Sequence, residues 1–345
     1  MKAIVYTGPN DVSFREVPKP DLKGNYSLIK TSHVGICGTD LNIFAGTHPR
    51  AKSPLIMGHE FSGTIASEHP TIGVGEKVTV NPLLSCGKCH PCNTGNPHVC
   101  EDLKLVGIDS DGGMAEYVAV PNHCIVPLPK EVSLKTGALV EPISVAVHAI
   151  RQGGYQAGDR AVVFGAGTIG LCVALTLRHY GASQVIVIET NDDRLKMAKE
   201  LGFHTLNPIK NDIQREVRAL TSNLGADIVF DCAGHPSVLD LVTDIVKVKG
   251  KIVIVAAYKK PAEFQLLQGM FKELTVRFVR VYTPTDVDLA MQILVNNLDF
   301  EQLITHVFPP EKAKEGFDLL VTPSEAIKVL YQFDHVGDEN NESII

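Results

Sequence analysis

No stretch of the 345-residue chain is long, apolar and uncharged enough to span a bilayer, which excludes a helix embedded in a membrane. Basic runs are missing too. With 32 Lys and Arg against 39 Asp and Glu the formal net charge is -7, and the basic stripe that nucleic acid requires is absent. The start, Met1-Lys-Ala-Ile-Val-Tyr6, runs straight into a strand-like stretch without a basic region, an apolar core and a cleavage site, so no secretory signal is read. There is no internal repeat and no low-complexity block. What remains is ordinary globular composition, 44% hydrophobic and 21% charged, at a length that suits about two domains with their own cores. Eight cysteines without an export signal point to free thiols and metal ligation in a reducing cytoplasm.

Four of those cysteines, in the run Cys86-Gly-Lys-Cys89-His-Pro-Cys92 and then Cys100, form a C-x2-C-x2-C-x7-C pattern. Thiolates three residues apart on a tight turn aim at a common centre, and a fourth closes an all-sulfur shell with no place for substrate, which is a structural zinc site. A disulfide pair would need an oxidising compartment, and an iron–sulfur cluster finds no further cysteine group to support it, so zinc leads.

Two styles of sequence follow one another. Residues 1 to about 147 are rich in Gly, Pro and short β-type runs such as Tyr26-Ser-Leu-Ile-Lys-Thr31 and Glu76-Lys-Val-Thr-Val80, the punctuation of a β-rich, loop-rich barrel. From Asp159 apolar runs alternate with helix-length segments: Ala161-Val-Val-Phe164, Val185-Ile-Val-Ile188, Ile228-Val-Phe230 and Lys251-Ile-Val-Ile-Val255. That alternation predicts a parallel sheet buried on both faces. After about Val281 mixed elements return, and Gly337-Asp-Glu-Asn-Asn-Glu-Ser343 reads as a frayed polar tail.

The strand Ala161–Phe164 runs into Gly165-Ala-Gly167-Thr168-Ile169-Gly170 and then into a helical stretch, the order that a dinucleotide fingerprint requires. Gly165 permits the tight turn, Gly167 the close approach of a pyrophosphate and Gly170 close packing of helix on strand, while the first helical N–H groups around Thr168 and Ile169 face the anion. Glu189, about twenty residues on, suits the ribose hydroxyls and favours NAD over NADP. Arg194 nearby tempers that preference, or lies along the adenine and ribose.

Cys37, the pair His59-Glu60, and Glu141 supply the donor types of a second, catalytic zinc with an open place for an alcohol, but their spacing alone does not connect them. Gly35-Ile-Cys37-Gly-Thr39-Asp40, Gly58-His59-Glu60, the four-cysteine lobe, Val140-Glu141-Pro142 and the glycine fingerprint nonetheless fall in the order seen in zinc-dependent medium-chain dehydrogenases. The chain resembles that family from end to end, within it the polyol (sorbitol), threonine and butanediol dehydrogenase branch, because Glu141 stands where other alcohol dehydrogenases place a cysteine. The resemblance implies an α/β protein: a GroES-like catalytic domain over residues 1–147, a Rossmann NAD-binding domain with a doubly wound parallel sheet over 148–281, and a C-terminal segment, 282–345, completing the catalytic domain. It implies one catalytic and one structural Zn2+, with Cys37, His59 and Glu60 as catalytic ligands and Glu141 as a fourth, direct or through water. Asp40 would orient a ligating histidine, and Thr39 would hydrogen-bond the substrate hydroxyl and pass its proton on.

Many relatives place a histidine five residues after the zinc cysteine; here Asn42 stands there and cannot titrate. Protons must then leave by Thr39, the NAD ribose and water, or through a substitute such as His48, and the likeness to threonine dehydrogenases weakens. The cationic loop with His48, Arg50 and Lys52, together with Arg280, suits an acidic group on a polyol, or merely keeps a surface soluble. The expected function is hydride transfer between NAD and a secondary hydroxyl of a polyol, sugar acid or related small polar alcohol. Phosphorylated polyols and primary alcohols are the alternative substrates, and a non-catalytic NAD sensor or zinc-binding protein is the alternative class. No nucleic acid or membrane is expected as partner; a homo-oligomer, dimer or tetramer, is.

Overall fold

The computed structural model describes residues 1–322 and 324–333, so the polar tail from Gly337 lies outside the described residues. The chain divides into two units, one of Met1–Glu141 with the segment from Thr283 on, the other Pro142–Tyr282, and the first division falls inside the helix Val140–Gln152. Among the described residues no helix is long and apolar enough to cross a membrane.

The first unit is organised by one long strand, Tyr26–Gly35, which is buried almost throughout. It pairs antiparallel with Glu60–Ile65, with Tyr117–Pro121 and with Lys328–Gln332 from the far end of the chain. The register sets Gly35 opposite Glu60 on one side and opposite Leu330 on the other. Gly35 has no side chain for a steric reason: a Cβ there would lie 2.5 Å from Glu60 Oε2 and 3.4 Å from the stem of Lys328.

The second unit carries six parallel strands in the order His204–Leu206, Gln184–Ile188, Arg160–Phe164, Ala226–Asp231, Val246–Ile254, Thr275–Phe278. Numbered by chain position this is 3-2-1-4-5-6, the doubly wound arrangement with its crevice at the carboxyl ends of the first and fourth strands. The apolar runs read from the sequence form the four central strands. The two outer ones have weaker patterns, being three residues long or fully exposed. Val162, Ile186, Val229 and Ile252 are fully buried, and each stabilises the sheet by about 1.5–3 kcal/mol through removal from water. The helix Thr168–His179 is buried continuously from Gly170 to Leu177, and Arg178 and His179 in its last turn complement its dipole.

Candidate metal centres and cofactor pocket

The four-cysteine lobe is built locally. Leu83–Leu84 pairs antiparallel with Lys104–Leu105 and closes the ends of the excursion. Within it the ligand atoms of Cys86, Cys89, Cys92 and Cys100 lie within 4.8 Å of one another. Cys89 Sγ stands 3.4 Å from Cys92 Sγ and 3.8 Å from Cys100 Sγ, far beyond the length of a disulfide bond, and all four are free. The Cys86 N–H donates to Cys100 Sγ at 3.2 Å and the Cys89 N–H to Cys86 Sγ at 3.4 Å. Backbone donors aimed at sulfur favour the thiolate: those of Lys88 and Cys89 pull the Cys86 thiol down, while burial pushes Cys92 up. Four thiolates at this spacing repel one another unless a cation sits among them, so the donor set fits zinc.

The second cluster is assembled from distant segments. Cys37 caps the helix Gly38–Phe44, and its N–H donates to Asp40 Oδ2 at 2.8 Å. Asp40, fully buried, turns its other oxygen to His59 Nδ1 at 3.7 Å. Cys37, His59 and Glu60 present ligand atoms within 4.8 Å of one another. Burial pushes the Cys37 thiol up, and the nearby Glu60 charge adds to the rise. Burial alone would pull His59 down, but Asp40 first, then Cys37 and Glu141, outweigh it and raise the imidazole well above its usual value. A buried set holding a thiol and several carboxylates is short of positive charge, which a divalent cation supplies. Glu141, 8% exposed at the start of its helix, lies outside the 4.8 Å set but close enough for its charge to act on His59.

One charged residue beside this cluster escaped the sequence reading. Lys328, 1% exposed, ion-pairs with Glu60 and donates to the Ile36 carbonyl at 3.1 Å, next to Cys37. The available signal was a lone lysine in the apolar run Ala326-Ile-Lys328-Val-Leu-Tyr331, where a charge is kept only for a partner.

The residues considered for substrate do not gather. Thr39 is half-buried in the first turn of the Cys37-capped helix, and Asn42 follows one turn later. His48 accepts the N–H groups of Ala51 at 3.1 Å and Arg50 at 3.4 Å on Nδ1, and burial, then Arg50, lowers its pKa. Its acceptor nitrogen is therefore engaged in the turn. Arg50 donates to the Leu103 carbonyl at 2.6 Å and pairs with Asp109 at 3.2 Å, so its charge serves the loop. Lys52 is exposed, and Arg280 belongs to the other unit.

In that unit a cavity of about 450 Å³ is lined by Gly165, Gly167, Glu189, Arg194, Cys232 and His235, among others. Gly165 has φ +93°, and a Cβ on Gly170 would lie 1.8 Å from the Gly165 carbonyl oxygen. A Cβ on Gly167 would meet only Arg194, at 3.9 Å, so this glycine opens on space into which a phosphate fits at the N-terminus of the Thr168–His179 helix. Thr168 and Ile169 form that first turn. Asn191 caps the next helix through the N–H groups of Asp193 and Arg194, which places Arg194 over the cavity. Glu189 accepts the N–H groups of Thr190, Ala166 and Asn191 at 2.7, 2.9 and 3.0 Å. Burial pushes its carboxyl up, yet these donors win and hold it below its usual value. It is a fixed anion at the pocket rim. Cys124 and Cys172 are buried, whereas Cys232 lines the cavity.

Sequence comparison finds the alcohol dehydrogenase GroES-like domain over residues 23–130 and the zinc-binding dehydrogenase domain over 168–296. A 2-dehydro-3-deoxy-L-galactonate 5-dehydrogenase of Pseudoalteromonas atlantica is 38% identical over 88% of this chain and 90% of its own. The chain belongs to the zinc-binding alcohol dehydrogenase family. Two solved structures extend the likeness to this dehydrogenase in three dimensions. The 2R,3R-butanediol dehydrogenase of Bacillus subtilis superposes with TM-score 0.90 at 29% identity, covering 96% of this chain and 99% of its own. An Escherichia coli alcohol dehydrogenase solved with NADH gives 0.88 at 30% identity over the same shares. The dehydrogenase thus pairs a GroES-like domain with a Rossmann sheet, as the motifs imply.

Proposed function

We infer that the enzyme oxidises a secondary hydroxyl of a small polar alcohol to a ketone, moving a hydride to NAD and releasing one proton, and runs in reverse. The gathering of Cys37, His59 and Glu60 from separate motifs into one buried set carries this reading. In it, Cys37, His59 and Glu60 hold the catalytic zinc, with Glu141 as the fourth donor, direct or through water. Asp40 fixes the His59 ring, and Lys328 balances Glu60. Zinc, when bound, supplies the Lewis acidity that lets a substrate hydroxyl ionise near neutral pH. The Thr39 hydroxyl would take the proton and pass it on; since Asn42 cannot titrate and His48 Nδ1 is engaged in its turn, the proton would leave through water. The lobe of Cys86, Cys89, Cys92 and Cys100 holds a structural zinc.

NAD is the cofactor. The glycine turn with Thr168 and Ile169 takes its pyrophosphate, Glu189 its ribose hydroxyls, and Arg194 lies along the adenosine. A sugar-acid dehydrogenase and a butanediol dehydrogenase among the relatives support a polyol or sugar acid as substrate. With Arg50 engaged, an acidic tail would be met by Lys52 or Arg280. Thiolates reserved for metal support a reducing, cytoplasmic setting, and the enzyme works as a homo-oligomer. A panel of polyols, aldonates and polyol phosphates tests the reading by NADH formation, expected for at least one secondary alcohol. No turnover by protein carrying zinc in both sites would overturn it in favour of a sensor.

A further inference from the structure

Two loops meet behind the cofactor cavity of the Rossmann unit. Cys232, Ala233 and His235 line that cavity, whereas Asp231 and Tyr258 stand outside its lining. Asp231 ends the strand Ala226–Asp231 and is fully buried. Its carboxylate is held by neutral donors: Oδ1 accepts the Gly234 N–H at 2.9 Å and the Ala233 N–H at 3.0 Å, and Oδ2 accepts the Tyr258 hydroxyl at 2.7 Å. The same Tyr258 oxygen lies 3.0 Å from the His235 carbonyl. A buried carboxylate stays ionised only while such donors surround it, so the tyrosine proton has a definite task. Burial, then the hydrogen bond to Asp231, raises the Tyr258 hydroxyl well above the usual tyrosine range and keeps it a donor. Its ring is partly buried against the core that includes Val238 and Leu239.

The main chain repeats the tie. The N–H groups of Val255 and Ala256 both donate to the Asp231 carbonyl at 3.0 Å, and Gly234, at φ +68°, lets the loops touch: a Cβ there would stand 3.0 Å from the Ala256 Cβ. On its other side the 232–235 segment leans on the glycine turn. The Cys232 N–H donates to the Phe164 carbonyl at 2.9 Å, and a Cβ on Gly165 would lie 3.2 Å from the Ala233 nitrogen. A short wall containing a left-handed glycine keeps one shape only when something outside it fixes that shape. We propose that Tyr258 and Asp231 form a latch that holds the 232–235 wall against the glycine turn and sets the cavity to the shape NAD requires, a role that rests on the cavity being the NAD site read above. Both are positioning residues, since neither lines the cavity. Without the latch the binding-competent shape is populated for a smaller fraction of the time, and the apparent affinity falls by that fraction. Gly165, Gly167, Glu189 and Arg194 line the same cavity, so the effect falls on the adenosine and pyrophosphate half of the cofactor. ADP-ribose, which lacks the nicotinamide, should feel it as strongly as NADH.

Tyr258→Phe in the full-length, zinc-loaded enzyme keeps the ring in the core and removes only the hydroxyl. Titration followed by NADH fluorescence, with ADP-ribose measured by competition, should show both dissociation constants raised about tenfold, the effect of one hydrogen bond to a charged partner. KM for NAD should rise with them, while kcat and zinc content move far less. Asp231→Asn should weaken NADH binding by a similar factor, and Tyr258→Phe added to it should cost little more, because two residues that share one contact are not additive. Unchanged NADH and ADP-ribose affinities in Tyr258→Phe would overturn the latch, even with a lowered melting temperature, and would leave the tyrosine a packing residue. Additive losses in the double variant would overturn the pairing with Asp231. A wild type that binds neither NADH nor ADP-ribose overturns the reading of the cavity itself. Should Asp231→Asn fail to fold, Tyr258→Phe decides alone.

Discussion

The two metal clusters of this enzyme are built in opposite ways. The four-sulfur lobe draws all its ligands from fifteen consecutive positions, three of them half-buried, and tunes its sulfurs with backbone N–H groups. The Cys37 cluster draws on a helix cap and the start of a strand, lies mostly buried, and is surrounded by Asp40, Glu141 and, from the last described strand, Lys328. A local site depends on its own turns. A dispersed one depends on the register of the whole sheet, and gains from it fixed charges that tune chemistry.

Breaking the dispersed cluster should therefore cost most. Cys37→Ser is expected to lower turnover by roughly a thousandfold or more, since the metal's acidity is lost with its ligand. Zinc analysis should still find the lobe's ion; a drop to none would show that the clusters are not independent. Lys328→Met should come next. It leaves Glu60 buried without its cation, a loss of about 3–5 kcal/mol that thermal unfolding would register, together with faster zinc exchange. Lys328→Arg should restore most of both, and equal stability of Lys328→Met and wild type would sink the assigned role.

Asp40→Asn sharpens the comparison at lower amplitude. Removing the charge behind His59 should weaken catalytic zinc affinity about 10–100-fold, read by chelator competition, with the lobe's affinity unmoved. Smallest of all in catalysis is Cys89→Ser. It should release the lobe's zinc and open residues 86–100 to protease, yet change turnover only a few-fold in assays short enough to precede unfolding. A collapse of turnover equal to that of Cys37→Ser would abolish the distinction between the two regions.

The same contrast decides what was legible in the sequence. The lobe could be read from spacing because its geometry is local, and so could the glycine turn, whose neighbours Ala161–Phe164 and Thr168–His179 announce strand and helix by their own pattern. Four sheet strands showed as apolar runs because both their faces are covered. His204–Leu206 and Thr275–Phe278 did not, the first too short for a pattern and the second left exposed. Cys37, His59 and Glu60 were joined only by family resemblance, since nothing in spacing brings a helix cap to a strand. Lys328 showed only as a charge in an apolar run, and nothing in spacing named Glu60 as its partner. Arg50 and His48 have loop partners that the sequence did not name, Leu103, Asp109 and the turn's own N–H groups, because such contacts depend on how the loop folds.

Lys328 and Glu60 are 268 positions apart. At ~5–20 residues per second of synthesis, roughly 13 to 54 seconds separate their appearance on a growing chain. Throughout that interval the nascent GroES-like domain holds the carboxylate without its counter-ion and lacks the strand that sits beside Gly35. The structural lobe can take up metal as soon as Cys100 has left the ribosome. The Cys37 cluster gains its counter-ion only when almost everything else has been made, so an interrupted product holds the four-sulfur lobe whole and leaves Glu60 uncompensated.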